Sequence, residues 1–178
     1  MPVSHYKHIQ HVMAAVESVE NVKSVLDVGI GFGKYGVILR ERFDIRFNRY
    51  DKKLWKTKID GIDIYKPYIT PMHKYIYNNL FIGDVRTIVG KLSNYDVIIF
   101  LDCIEHMNKN KGSSVLKRLV KKTNKLLLVS FPTTFNKNTN ASWPNKRELH
   151  RCLWTKKDLE TSIGSVNKLS PTLYSKVI

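Results

Sequence analysis

Val25-Leu26-Asp27-Val28-Gly29-Ile30-Gly31-Phe32-Gly33 decides how this chain is read. An apolar run that closes on an acid and then on glycines at alternate positions is a strand turning tightly into a helix. Backbone N–H groups are left uncovered at the positive end of that helix, and no Cβ keeps a ligand away from them. The turn therefore suits a nucleotide-like ligand. Gly31-Phe32-Gly33-Lys34-Tyr35-Gly36 also spells G-x-G-x-x-G, the dinucleotide pattern, which asks for an acid about 20 residues on. The acid that closes the next strand-like segment, Asp63 of Ile59–Asp63, lies further along than that. A nicotinamide-type ligand fits poorly, and an ordinary strand-to-helix connection is the bland alternative.

Other acids close strand-like runs in the same way. Asp84 follows Leu80-Phe81-Ile82-Gly83, and Asp102 follows Val97-Ile98-Ile99-Phe100-Leu101 with Glu105-His106 just beyond. Open α/β sheets bind ligands outside the carboxyl ends of their strands, so Asp27, Asp63, Asp84 and Asp102 are expected along one rim. Singly, Asp63 or Asp84 would serve equally well as a helix N-cap. Their joint placement is what points to a site.

On these motifs, from Val25 to Pro132, the chain resembles the small-molecule branch of the class I S-adenosylmethionine-dependent methyltransferases. The resemblance implies a three-layer, Rossmann-like α/β fold: an open sheet, mostly parallel with an antiparallel edge strand, and helices on both faces. It implies S-adenosyl-L-methionine as cofactor, with Asp27, Gly29, Gly31 and Gly33 against its amino acid part. Asp63, with Ile64 beside it, would take the ribose hydroxyls, and Asp84 with Val85 the adenine. Asp102 would complete the pocket, and Asp102-x-x-Glu105-His106 resembles the segment after the fourth strand. A carboxylate accepting two hydroxyl hydrogen bonds is a charge-assisted contact, which agrees with the ribose role.

With 178 residues the chain is expected to form a single domain, 1–178, too short for a cofactor domain plus a separate substrate domain. That counts against most nicotinamide dehydrogenases. Apolar residues make up 43% of the chain, yet no stretch approaches the ~20 uninterrupted apolar residues of a membrane span. His5, Lys7, His8 and Gln10 leave no apolar core for a signal peptide, so the cytoplasm is the expected compartment. Cys103 and Cys152 match no zinc spacing and no disulfide framework, and no metal is expected. The net charge of +15 is the outlier. It admits a nucleic-acid partner, an anionic small substrate, or a coding bias toward lysine.

Along the chain, 1–20 holds a leading helix (His5–Ser18, with Ile9, Val12, Met13 and Val16 at helical spacing) that would cover the pocket. His5, His8 and His11 drift around that helix instead of converging. Strands are expected at Lys23–Val28, Ile59–Asp63, Leu80–Gly83, Tyr95–Leu101 and Lys125–Phe131. Helices are expected at Lys34–Arg42 (Val37, Ile38 and Leu39 inward), Pro67–Asn78, Val85–Leu92 and Gly112–Thr123. The insert 44–58 interleaves Phe47, Tyr50 and Trp55 with Arg46, Arg49, Lys52 and Lys53. Such a segment either stacks on bases and sugars or is a solvated loop pinned by its aromatics. The loop 132–154, with Trp143-Pro144 and His150, is expected on the substrate side. Thr155 and Asp158 mark a capped helix, and Ser165–Ile178 supplies two closing strands.

Methyl transfer is an in-line displacement at a carbon activated by the sulfonium, so the protein mainly aligns the nucleophile and excludes water. His106, His150 and Glu105 are the catalytic candidates, either histidine being placed to take a proton. The Asn-Pro-Pro-aromatic signature of amino-directed nucleic-acid methyltransferases is absent; Asp102-Cys103-Ile104-Glu105 stands instead. The expected acceptor is therefore a small polar molecule methylated at oxygen or nitrogen. An RNA or DNA acceptor and a noncatalytic cofactor-binding module stay open, as does the oligomeric state.

Overall fold

A computed structural model describes residues 4–134 and 145–178. Trp143, Pro144 and the middle of the 132–154 loop lie outside the described residues. Among the described residues seven strands form one sheet in the order β3-β2-β1-β4-β5-β7-β6. They are β1 (Ser24–Val28), β2 (Lys58–Asp63), β3 (Leu80–Ile82), β4 (Tyr95–Leu101), β5 (Thr123–Ser130), β6 (Asn167–Ser170) and β7 (Leu173–Val177). The first five are parallel, and β7 and β6 close the edge antiparallel. Because β1 pairs with both β2 and β4, the winding reverses there and leaves a crevice at the carboxyl ends.

Helices cover both faces. α1 (Ile9–Glu17), α2 (Lys34–Phe43) and α3 (Pro71–Ile76) pack on one, and α4 (Val85–Ile88), α5 (Lys109–Lys122) and α6 (Lys156–Ile163) on the other. Strand parity explains the division. Val25, Val97, Ile99, Leu126 and Leu128 join the first core; Leu26, Val28, Ile98, Phe100, Leu127 and Val129 join the second. Strands buried on both sides read as continuous apolar runs, which is why their positions were visible in the sequence. Each such side chain stabilises the fold by about 1.5–3 kcal/mol.

Several boundaries differ from expectation. α2 buries Tyr35, Gly36, Leu39 and Arg40, so Val37, two residues and some 200° around from Tyr35, is exposed rather than inward. The expected helix from Pro67 begins only at Pro71. Pro67 sits in a 3₁₀ turn, and Thr70 forms a capping box with His73. α5 starts earlier than Gly112, because the Asn108 side chain accepts a hydrogen bond from the Lys111 N–H at 3.1 Å. The Thr155–Asp158 cap and both closing strands stand as expected.

The 44–58 insert is bolted to the body. Asp44, fully buried, accepts from Arg40 Nη1 (2.5 Å), Arg49 Nε (2.9 Å) and the Lys56 N–H (2.8 Å). The Arg40 guanidinium lies over the Trp55 ring, 3.6 Å from its centroid. Phe47 and Tyr50 remain exposed. His8 is buried against Thr172 and Ser170 while His11 is exposed, so the three leading histidines do not converge. Among the described residues no helix is long and apolar enough to cross a membrane.

Candidate functional site

A cavity of about 370 Å³ opens at the carboxyl ends of β1, β2 and β4. Asp27, Gly29, Gly31, Asp63, Ile64, Asp84, Val85 and Asp102 all line it, so distant segments of the chain do meet at one place. The glycine turn has φ of +80°, +50° and +86° at Gly29, Gly31 and Gly33, a left-handed path that side chains resist. Gly33 does not line the cavity: a Cβ there would stand 3.0 Å from the His73 ring, so its freedom serves packing and the start of α2.

Asp27 is buried, and its Oδ2 accepts from the Tyr77 hydroxyl at 2.7 Å. Tyr77 in turn can stand there only because Gly36 leaves room, since a Cβ on Gly36 would approach its ring to 2.4 Å. Burial pushes the Asp27 carboxyl up to about 6, against the opposing Tyr77 hydrogen bond. Below pH ~4 both folded and unfolded chains hold this proton. Between ~4 and ~6 only the folded chain does, so stability falls as pH rises and then stays lower. Asp27→Asn is thus expected to gain on the wild type across that window, by on the order of 3 kcal/mol. Thermal melts of both proteins from pH 4 to 7 check this; a difference that does not vary with pH would refute it.

Asp63 Oδ2 accepts from the Gly31 N–H (3.0 Å) and Oδ1 from the Tyr65 N–H (2.8 Å), which ties β2 to the glycine turn. Burial raises its pKa and these N–H donors lower it. Asp84 caps α4 through the Arg86 N–H at 2.9 Å, and the Arg86 guanidinium grips both its oxygens. That side-chain hydrogen bond from Arg86 holds the Asp84 carboxyl below its ordinary range. Both acids therefore act as local caps and also face the cavity. Asp102 has φ +46°, an uncommon conformation for a residue with a side chain. Its Oδ1 accepts from the Ser130 hydroxyl (2.7 Å) and its Oδ2 from the His5 N–H (3.1 Å), which anchors the leading segment over the pocket.

Residues from the loop after β5 also line the cavity. His106, Arg147, Glu148 and Arg151 line the cavity with Lys34, Arg86 and Lys111. Of these, only His106 was visible as a site residue in the sequence. The loop residues, preceding α6, arrive through the Arg151 N–H, which donates to the Glu105 carbonyl at 2.7 Å. Glu105 and His150 lie behind His106, outside the lining. The His106 and His150 rings meet edge to face with centroids 5.2 Å apart, and His150 Nε2 is 4.0 Å from Glu105 Oε1. Burial lowers the pKa of His106 to about 4 and also lowers that of His150, while it pushes Glu105 up to about 8. No residue of the 44–58 insert lines the cavity. Cys103 does, with its Sγ against Gly29, and both cysteines are unpaired with each other.

No protein-family model matches this sequence, and no curated protein matches it. Solved structures do. Magnesium protoporphyrin IX methyltransferase (ChlM) from Synechocystis PCC 6803 with bound SAH is 18% identical, with a TM-score of 0.68 over 96% of this chain and 82% of its own. The methyltransferase domain of a bacterial Hen1, CtHen1, is 21% identical, with a TM-score of 0.59 over 98% of this chain and 100% of its own. The small RNA methyltransferase HEN1 is 19% identical, with a TM-score of 0.61 over 98% of this chain and 26% of its own. With the strand order and the crevice at the β1–β4 reversal, these similarities show that the chain has the Rossmann-like fold of class I S-adenosylmethionine-dependent methyltransferases.

Proposed function

We propose that the chain binds S-adenosyl-L-methionine in this cavity and transfers its methyl group to an oxygen or nitrogen of a small polar acceptor. The observation that carries the proposal is the convergence of Asp27, Gly29, Gly31, Asp63 and Asp84 on a single cavity that His106 and the charged loop residues Arg147, Glu148 and Arg151 also line. Similar structures have been solved with S-adenosylmethionine or S-adenosylhomocysteine bound, which supports the cofactor. In this reading Gly29, Gly31 and Asp27 meet the amino acid part, Asp63 and Ile64 the ribose, Asp84 and Val85 the adenine, and Asp102 closes the site. Gly33 supports the turn from behind.

When bound, the cofactor supplies a methyl carbon already activated for attack. The chain's own residues hold the two reactants in line and exclude water. The leading segment, tied through the His5 N–H to Asp102 and through Ser4 to Lys34, covers one side. Lys111 and Arg151 add positive charge to the cavity lining, which favours an acceptor bearing a carboxylate or phosphate. Burial favours the neutral form of His106, the form required of a proton acceptor, and His106 lines the cavity, whereas His150 lies outside the lining and could act only through it. Two free cysteines accord with a reducing cytoplasm.

The net charge of +15 and the similarity to HEN1 favour a second reading, in which the acceptor is RNA. Calorimetric titration separates the two. Saturable binding of S-adenosylhomocysteine with no NAD binding is expected, and a preference for NAD would overturn the cofactor. Tight RNA binding that weakens steeply between 50 and 200 mM salt, and weakens again when the exposed Arg46, Lys53 and Lys56 are neutralised, would move the acceptor to nucleic acid.

A further inference from the structure

Next to the cavity, and reaching it through His106, lies a polar corner that the cofactor assignment does not use. Glu105 sits in the 3₁₀ turn Ile104–His106 that follows β4; it is 3% exposed, and its Oε2 is buried with no hydrogen-bond partner. His106 Nδ1 is likewise buried without a partner. A bare carboxylate oxygen in such a place costs stability unless a cation or proton meets it. One ligand atom from each of Glu105, His106 and His150 lies within 4.8 Å of the other two. Nothing in the spacing of the sequence announced this, because His150 arrives from the far side of β5.

We propose that Glu105, His106 and His150 bind a first-row divalent transition-metal ion. Two imidazoles and one carboxylate suit the borderline ions from Mn²⁺ to Zn²⁺, whereas Mg²⁺ and Ca²⁺ prefer all-oxygen shells. Donors about 2.0–2.2 Å from such an ion stand roughly 3–3.5 Å from one another, so side-chain adjustments of about 1 Å close the set. The His150 Nε2 to Glu105 Oε1 separation of 4.0 Å is already near that range. Glu148 Oε2 stands 3.8 Å from His106 Nε2, and its other oxygen is held by Asn145 Nδ2 (2.9 Å) and the Tyr68 hydroxyl (3.3 Å). A carboxylate fixed in that way orients a ligating imidazole or joins the shell. Three protein ligands would leave coordination positions open, and one of the three, His106, lines the cavity. His106 and His150 then act as ligands in place of the proton acceptor expected from sequence.

His106 lines the cavity, but none of the three ligands is assigned to the cofactor, so metal and cofactor binding are tested separately. The full chain, stripped with a chelator and desalted, is titrated with ZnCl₂, MnCl₂ and MgCl₂ by calorimetry, and with CoCl₂ by visible absorption. One equivalent of Zn²⁺ or Mn²⁺ is expected to bind, with Mg²⁺ at least tenfold weaker. Glu105→Gln and His150→Gln should each lower the affinity by at least tenfold and abolish the Co²⁺ band. Near-UV circular dichroism checks that each variant folds; if one does not, His106→Gln and the Zn²⁺-induced rise in Tm of the wild type decide the same question. Failure of the folded wild type to take up one equivalent would overturn the proposal. Uptake unchanged in every folded variant would overturn it too, placing the ion at exposed histidines elsewhere. S-adenosylhomocysteine is titrated separately into metal-free protein, so loss of either ligand is read without the other.

Discussion

Replacing Arg40 by alanine is expected to destabilise the fold by about 3–5 kcal/mol, the scale for removing one partner of a buried ion pair. Arg40 has no exposed surface, although it lies on a helix whose neighbours in sequence are ordinary surface charges. Its Nη1 donates to Asp44 (2.5 Å) and to the Thr57 carbonyl (2.8 Å). Its Nε and Nη2 share the Ile76 carbonyl (3.2 and 3.1 Å), and Nη2 reaches Asn78 Oδ1 (2.8 Å). One guanidinium thus fastens α2, the end of the insert, the end of α3 and the start of the turn into β3. Truncation leaves those acceptors unpaired, opens a cavity under Trp55, and leaves Asp44 buried with only Arg49 and the Lys56 N–H. For a chain of this size the loss corresponds to a Tm lower by about 6–20 °C. Arg40→Lys should recover only part of it, because a single ammonium cannot reproduce the planar fork. A melting shift of less than about 2 °C for Arg40→Ala, below the range expected for such a loss, would mean that the insert is held by something else.

Arg40 also shows where sequence reading ends. The sheet was legible because strands covered on both faces must be apolar at every position, so β1 and β4 stand out against their surroundings. Acids at the strand ends were legible for the complementary reason: Asp27 and Asp63 interrupt apolar runs at a place where only a ligand or a turn would repay them. A buried arginine carries no such mark. It resembles Arg42, two positions on, which is partly exposed and paired with Glu17. The start of α5 was hidden because Lys109, Asn110 and Lys111 have no apolar period, and the start of α3 because Pro67 and Pro71 are equally good first residues of a helix. Glu148, Arg147 and the pairing of His150 with Glu105 depend on where the loop after β5 lands. Chain spacing does not encode that landing; the backbone hydrogen bond from Arg151 to Glu105 does.

Asp63→Ala is expected to weaken S-adenosylhomocysteine binding by about 1.5–3 kcal/mol, roughly 10- to 150-fold, the scale for hydrogen bonds to a charged group. Two causes would produce that loss, and they must be told apart. Asp63 already accepts the Gly31 and Tyr65 N–H groups, so its removal also unties the glycine turn. A carboxylate has room for about four hydrogen bonds, which leaves two acceptor positions for ribose hydroxyls in the cavity it lines. A ligand lacking one hydroxyl resolves the matter. If the acid binds the ribose, the wild type should prefer S-adenosylhomocysteine over its 2′-deoxy analogue by at least several-fold, and Asp63→Ala should bind the two alike. If the variant keeps the wild-type preference while losing affinity for both ligands, Asp63 works only by shaping the turn. Its placement beside Gly31 would then be the whole of its contribution, and the ribose would need another partner in the cavity wall.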